Sequence, residues 1–239
     1  MLNIIWDFDG TLIDSSEDIE QCFKVAANEA GLDLSKQISQ FVIGPSIEII
    51  LRKSFPPGIV AEKVVADTIK VFREIYDNSN YEQTKPYPGI ELIIQDTVNF
   101  KHHIVTNKPD LPTNRIIDKL NWAKYIASVN TPYTKIASSG NSLQSKRDIY
   151  TDVMNKYKGT AFTYVGIGDT KTDSIAAKEN HITAVGVSWG FGDKDELREH
   201  SDYVFDDTQQ LRCFLYDMQS NIAHCDNQQL YTQGGLINA

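Results

Sequence analysis

Short apolar runs alternate with helical patterns along most of the chain. Beyond the first run, at 2–6, runs of strand length occur at 102–107, 125–130, 162–169, 183–189 and 202–205. Apolar positions with helical spacing fill the intervening segments near 110–120, 146–157 and 172–180. Strands that alternate with helices are typical of βαβ units, so the sequence predicts an α/β fold with a parallel sheet.

The segment 15–85 has a different pattern. Its apolar positions follow helical spacing, and we find no convincing strand in it. We therefore predict that an all-helical domain is inserted directly after the first strand. The predicted parts are an α/β core of residues 1–14 and 86–220, a helical domain of residues 15–85, and a loose polar tail of residues 221–239.

Composition and charge narrow the class of protein. A hydrophobic content of 41% and a charged content of 23% are those of an ordinary globular protein. The net charge of −9 argues against nucleic acid or an anionic membrane as the main partner. Three widely spaced cysteines suit a reducing compartment, and we find neither a signal peptide nor a long apolar run. We therefore expect a cytoplasmic protein, either a monomer or a homodimer.

Most of the candidate chemistry follows the ends of the apolar runs. These positions are Asp7, Asp9, Gly10 and Thr11 after the first run, Thr106, Asn107 and Lys108 after the second, and Asp169 with Asp173 after the run that ends in Gly-Ile-Gly. Lys146 begins a predicted helix. Because ligands of parallel sheets bind at the carboxyl ends of the strands, we expect these side chains to converge. The alternative is that each is ordinary: Asp-Gly as a turn, Asp169 as a helix cap and each lysine as a surface charge.

Asp7 and Asp9 are the most informative pair. Two carboxylates one residue apart at the end of a buried strand are opposed by repulsion and by desolvation. A nearby positive charge, or a reaction that uses both acids, would account for their placement.

Three ordered motifs carry a family resemblance. The sequences Asp-Phe-Asp-Gly-Thr-Leu, Ile-Val-Thr-Asn-Lys and Gly-Ile-Gly-Asp-Thr-Lys-Thr-Asp resemble those of haloacid dehalogenase-like phosphatases, in the phosphoglycolate-phosphatase-like branch with a helical cap. The resemblance extends from residue 1 to about residue 206 and implies a Rossmann-like core with the cap at the helical insert. The family's remaining lysine motif matches Lys146, and Lys135 is the alternative.

The resemblance also implies roles for the motif residues. Asp7 would attack phosphorus and form an aspartyl-phosphate, while Asp9 would act as the general acid and then as the base. Lys146 would neutralise charge between Asp7 and the phosphate, and Thr106 would hydrogen-bond a phosphoryl oxygen. The positions expected to contact phosphate are Gly10, Thr11, Thr106, Asn107 and Lys146.

Mg²⁺ is the metal that the resemblance implies, because carboxylate oxygens and phosphate suit it. Its ligands would be Asp7, the backbone carbonyl of Asp9, and Asp169, with Asp173 acting through a water molecule or as a weaker ligand.

The sequence therefore predicts a Mg²⁺-dependent phosphatase of a small phosphorylated metabolite, of the 2-phosphoglycolate or sugar phosphate class. Two alternatives remain open: a phosphomutase of the same fold, and a catalytically idle binding or regulatory protein of that fold. Gly44, Pro45 and Arg52 lie where relatives place residues that select the substrate. For Arg52, an exposed helix face is an equal alternative.

Overall fold

A computed structural model describes residues 1–32, 47–54, 62–133, 144–157 and 163–233. The strands are β1 Leu2–Trp6, β2 Ile13–Asp14, β3 Lys85–Pro86, β4 Phe100–Val105, β5 Ile126–Asn130, β6 Thr163–Gly168, β7 Thr183–Val187 and β8 Tyr203–Phe205. The helices are α1 Ser16–Glu29, α2 Ile47–Ser54, α3 Glu62–Asp77, α4 Ile90–Ile94, α5 Asp110–Lys119, α6 Lys146–Lys156, α7 Lys171–Glu179, α8 Lys194–His200 and α9 Thr208–Gln233. None of these helices combines the length and the apolar character needed to cross a membrane.

Six strands form a parallel sheet in the order β5-β4-β1-β6-β7-β8, which confirms the predicted α/β fold. In the register of the three central strands, Trp6 pairs with both Ile104 and Ile167. The residues that follow these strands therefore leave the sheet at the same edge. This edge collects the chemistry-bearing positions.

Strand β1 explains why the core forms on both faces of the sheet. All five of its residues are buried. Leu2, Ile4 and Trp6 belong to the larger apolar cluster, whereas Ile5 belongs to a second cluster with Val105 and Tyr150. Successive strand residues point to opposite faces, so an uninterrupted apolar run fits a strand with a packed layer on each side. Each fully buried aliphatic side chain contributes about 1.5–3 kcal/mol.

The helical insert contains α1, α2 and α3, as the apolar spacing indicates. Helix α1 ends before Gly31, whose φ of +76° turns the chain away from the helix. The buried aromatic rings of Phe23, Phe72 and Tyr76 contribute to the core on this side of the molecule. We propose that these helices form the cap domain.

Two short strands lie where the chain enters and leaves this insert. Strand β2 pairs with β3 in an antiparallel ribbon, with Asp14 opposite Lys85. The buried Asp18 carboxylate reinforces the ribbon, because it accepts hydrogen bonds from the Thr84 amide at 2.7 Å and the Thr84 hydroxyl at 2.6 Å. The two crossings between core and insert are thus held side by side.

The end of the chain differs from the prediction. Residues 221–233, expected to be a loose tail, have helical backbone as the last part of α9, so that expectation is wrong for them. As far as residue 222 of the same helix, the spacing of Leu211, Leu215, Met218 and Ile222 keeps one face packed against the core. Residues 234–239 lie outside the described part of the chain.

Candidate active site

The turn after β1 begins with Asp7, whose amide donates to the Ile167 carbonyl at 2.8 Å. Gly10 then adopts a φ of +82°, a conformation that side chains other than glycine rarely adopt. A Cβ atom at this position would lie 2.3 Å from the Asp169 carboxylate. Gly10 thus allows both the sharp turn and the close approach of Asp169.

Three carboxylates meet at this edge of the sheet. Asp7, Asp169 and Asp173 each offer an oxygen atom, and these atoms all lie within 4.8 Å of one another. Asp169 follows β6, and Asp173 lies in the first turn of α7. Both are 1% exposed, and Asp7 is 8% exposed.

Lys146 is the cation within this acidic cluster. Its Nζ lies 2.9 Å from Asp7 Oδ1 and also donates to Asp173 Oδ1. Burial alone would lower the pKa of Lys146, but the charges of Asp173 and Asp7 outweigh it and raise the pKa above its usual value. The Ser145 side chain caps α6 by accepting from the Asp148 amide, and this cap sets the start of the helix that carries Lys146. Lys146 therefore remains charged between two of the three acids.

Two of the acids, Asp7 and Asp169, have a raised pKa and resist ionisation. Burial and the charge of Asp173 raise the pKa of Asp7 well above its usual value, and Lys146 opposes that shift. Burial and repulsion by Asp173 raise the pKa of Asp169 to about 6. Three buried acids facing one lysine leave an excess of negative charge, which a bound cation would stabilise.

Asp169 and Asp173 are held by local hydrogen bonds. Asp169 Oδ2 accepts from the Phe191 amide at 2.7 Å, and Asp169 Oδ1 accepts from the Thr11 hydroxyl at 3.3 Å. Asp173 Oδ2 accepts from the Thr170 hydroxyl at 2.6 Å and the Thr170 amide at 3.2 Å. The Thr-x-x-Asp pattern at the start of α7 therefore fixes one carboxylate by local geometry.

Asp9 points to different partners. Its carboxylate accepts from Lys108 Nζ at 2.8 and 3.1 Å and from the Ser15 hydroxyl at 2.5 Å. The motif residues predict no role for Lys108, and the structure places its ammonium next to Asp9. Ser15, which precedes α1, makes no side-chain cap bond to that helix.

Apart from Lys146, the residues expected to contact phosphate follow the ends of β1 and β4. Thr106 follows β4 and is buried, and its hydroxyl accepts from the Lys108 amide at 3.1 Å. The Asn107 side chain is exposed. Gly10 and Thr11 approach the site through Asp169, as described above.

The structure does not bring Arg52 to this cluster. Its guanidinium pairs with Glu48 at 3.0 Å and with Glu62 at 2.8 Å on the exposed surface of the helical insert. Gly44, Pro45 and the alternative lysine, Lys135, lie outside the described residues.

The parallel sheet, with buried carboxylates at its strand ends and a lysine between them, agrees with the class expected from the sequence motifs, the haloacid dehalogenase-like hydrolases. The model of the family described as "Haloacid dehalogenase-like hydrolase" matches residues 4–187, more than half of the chain. The chain therefore belongs to the haloacid dehalogenase-like hydrolase family.

Its relatives include two enzymes named phosphoglycolate phosphatase. The one from Pseudomonas fluorescens is 25% identical, with 87% of this chain and 77% of the relative covered. The one from Aquifex aeolicus is 26% identical, with 79% and 85% covered. A 5'-nucleotidase from Pseudomonas aeruginosa is 22% identical, with 83% and 87% covered.

Solved structures support the fold assignment. A haloacid dehalogenase-like family protein from Streptococcus pneumoniae has a TM-score of 0.68 at 20% identity, with 89% of this chain and 97% of that chain covered. Protein tyrosine kinase A from Mycobacterium tuberculosis has a TM-score of 0.71 at 23% identity, with the same coverage. At these identities the likeness extends to the fold alone, so the reaction must be argued from the site.

Proposed function

We propose that this protein is a Mg²⁺-dependent phosphatase that hydrolyses a small phosphorylated metabolite through an aspartyl-phosphate on Asp7. The observation that carries this proposal is the position of Asp7, which lies at the end of β1, within the acidic cluster and 2.9 Å from Lys146 Nζ. A carboxylate in such a place can act as a nucleophile towards phosphorus while the lysine neutralises the incoming phosphate.

The donor set fits a hard divalent cation. Asp7 and Asp169 would hold Mg²⁺ together with the backbone carbonyl of Asp9, and Asp173 would support it directly or through water. The three clustered acids and Lys146 together leave two negative charges, which match one divalent ion. Asp9 lies outside this count, beside Lys108. When bound, the ion would polarise the phosphoryl group and reduce its repulsion from Asp7.

The residues then divide the reaction between them. An Asp7 oxygen attacks phosphorus, and the bond from phosphorus to the ester oxygen breaks while that oxygen takes a proton from Asp9. A water molecule then attacks phosphorus and gives a proton to Asp9. The bond between phosphorus and the Asp7 oxygen breaks, so phosphate is released and the Asp7 carboxylate is regenerated. Thr106 would hydrogen-bond a phosphoryl oxygen, with Gly10, Thr11 and Asn107 lining the same side.

The substrate class follows from the relatives. Enzymes named phosphoglycolate phosphatase and 5'-nucleotidase are similar over most of this chain, so we propose a small phosphate monoester, with 2-phosphoglycolate and sugar phosphates as the first candidates. A phosphomutase would use the same motif residues. Release of inorganic phosphate without an isomerised sugar phosphate would distinguish hydrolysis from mutase activity.

The test is a phosphate-release screen over phosphorylated metabolites with and without Mg²⁺. We expect turnover that chelation abolishes and that Asp7→Asn abolishes. Asp195→Asn is the matched control, because Asp195 is exposed on α8 and its carboxylate pairs with Arg198 on the surface. Turnover that survives exhaustive chelation, or Asp7→Asn, would contradict the proposal.

A further inference from the structure

The Lys108 ammonium joins the core to the helical insert. Its Nζ lies 2.8 and 3.1 Å from the two Asp9 carboxylate oxygens and 2.7 Å from the Tyr76 hydroxyl oxygen. Lys108 follows β4 in the core, whereas Tyr76 lies in the last turn of α3. An ammonium has three protons, and these three acceptors can take all of them. The Lys108 side chain is only 5% exposed, so little water competes for those protons.

The Tyr76 ring is held independently of Lys108. Phe72 stacks on it with ring centroids 5.3 Å apart, and Tyr81 contacts it edge-on at the same separation. Burial is the main cause that raises the pKa of Tyr76 well above its usual value, so its hydroxyl stays protonated. Tyr76 thus presents a fixed, neutral oxygen to the ammonium.

Helix α5 contacts the end of α3 and the residues that follow it, which fixes where the Tyr76 hydroxyl lies relative to the core. Arg115, on α5, donates to the Asp77 carbonyl at the end of α3. Lys119, also on α5, donates to the Tyr81 carbonyl. Cations near the carboxyl end of a helix also interact favourably with its dipole. The last turn of α3 is therefore anchored to the core next to Lys108.

We propose that Lys108 and Tyr76 are positioning residues that hold the Asp9 carboxylate for proton transfer, so that the helical insert takes part in this step through Tyr76. The inference rests on the proposed function, in which Asp9 protonates the leaving oxygen. Together with the Ser15 hydroxyl at 2.5 Å, the ammonium restrains the carboxylate from two directions. Because proton transfer needs the acid within hydrogen-bond reach of the leaving oxygen, a loosened Asp9 slows the departure of a basic leaving group most.

The test compares two esters that share a ring shape, phenyl phosphate and p-nitrophenyl phosphate. Phenolate is the more basic leaving group and gains more from protonation, so the ratio of the two kcat/KM values reports on the acid. Tyr76→Phe removes one hydroxyl and keeps the ring contacts. We expect it to lower the phenyl to p-nitrophenyl ratio about fivefold, and Lys108→Met to lower it further.

Tyr164→Phe is the control, since it also removes a largely buried hydroxyl, one that donates to the Tyr157 carbonyl at 2.9 Å. It should leave the ratio unchanged. Inhibition by inorganic phosphate measures phosphate binding, and we expect the inhibition constant of Tyr76→Phe to be close to that of the parent. If Lys108→Met does not fold, the Tyr76→Phe ratio decides alone.

The outcomes separate this inference from the proposed function. An unchanged ratio in Tyr76→Phe, or equal losses for both esters, would overturn the positioning role while leaving the phosphatase proposal in place. A parent enzyme that releases phosphate neither from these esters nor from any metabolite of the screen would overturn both.

Discussion

Protonation of buried His102 should make the stability of this protein depend on pH. His102 lies in β4 and is fully buried, and its Nδ1 accepts from Trp6 Nε1 at 3.1 Å. Burial lowers the pKa of His102 from its ordinary 6.5 to about 4. Between these values the unfolded chain binds a proton at this position and the folded protein does not, so stability falls as pH decreases from 6.5 towards 4.

The size of the effect follows from the shift. Each pH unit within the window corresponds to about 1.4 kcal/mol, so lowering the pH from 8 to 5 costs about 2 kcal/mol through His102 alone. His103, whose pKa burial lowers to about 3, adds a change of the same sign. Asp169 acts in the opposite direction, because its raised pKa of about 6 makes the folded protein take up a proton first. The pH dependence of the parent alone therefore does not isolate His102.

The assay is urea unfolding of the parent and of His102→Phe at pH 8 and pH 5. The variant loses the acceptor for Trp6, so we expect it to be less stable at pH 8 by about 1–3 kcal/mol. Between pH 8 and pH 5 the free energy of unfolding should fall by about 2 kcal/mol less in the variant than in the parent. His103 and Asp169 are present in both proteins and cancel in this comparison. Equal losses in the two proteins would refute the reasoning.

Three further predictions concern the candidate active site and the ribbon of β2 and β3. Lys146→Met should lower phosphate release at least a hundredfold, while Lys135→Met should not; the reverse result would identify Lys135 as the motif lysine. Gly10→Ala should abolish turnover and lower the free energy of unfolding by about 2 kcal/mol or more, because Gly10 has a positive φ and a Cβ atom there would lie 2.3 Å from the Asp169 carboxylate. If urea unfolding and phosphate release are normal in this variant, a glycine is not required at this position. Asp18→Asn should destabilise the protein by about 1–2 kcal/mol and speed hydrogen exchange at the Thr84 amide, and unchanged exchange there would show that Asp18 does not secure the ribbon.

The sequence was most informative where apolar runs are uninterrupted. Strands β1 and β6 are apolar over nearly their whole length, so their positions and the chemistry that follows them could be predicted. Helix α9 could not be predicted from residue spacing alone, because the side chains that pack against the core, among them Leu211, Leu215 and Met218, are separated by polar residues along the sequence. The short helices α4 and α8 offer too few turns for a periodic signal.

The site was predictable to the extent that strand ends meet at one edge of a parallel sheet. Asp7 and Asp169 meet for that reason, and Lys146 joins them from the start of helix α6. The contact between Lys108 and Asp9 depends on how the β4 turn packs against the β1 turn, and no local pattern encodes it. The Arg52 pairing did have a signal, because Glu48 lies one helical turn earlier, at a spacing that favours an ion pair.

The ribbon of β2 and β3 has a consequence for how this architecture can vary. Since Asp14 lies opposite Lys85, the polypeptide departs from the sheet and returns to it through neighbouring positions. The entropy needed to close a loop grows only slowly with its length, so a short turn or a whole folded module could join these two points without altering the strand order. The inserted segment can therefore be exchanged at these two points while the strand order, and with it the edge that carries the carboxylates, stays as it is.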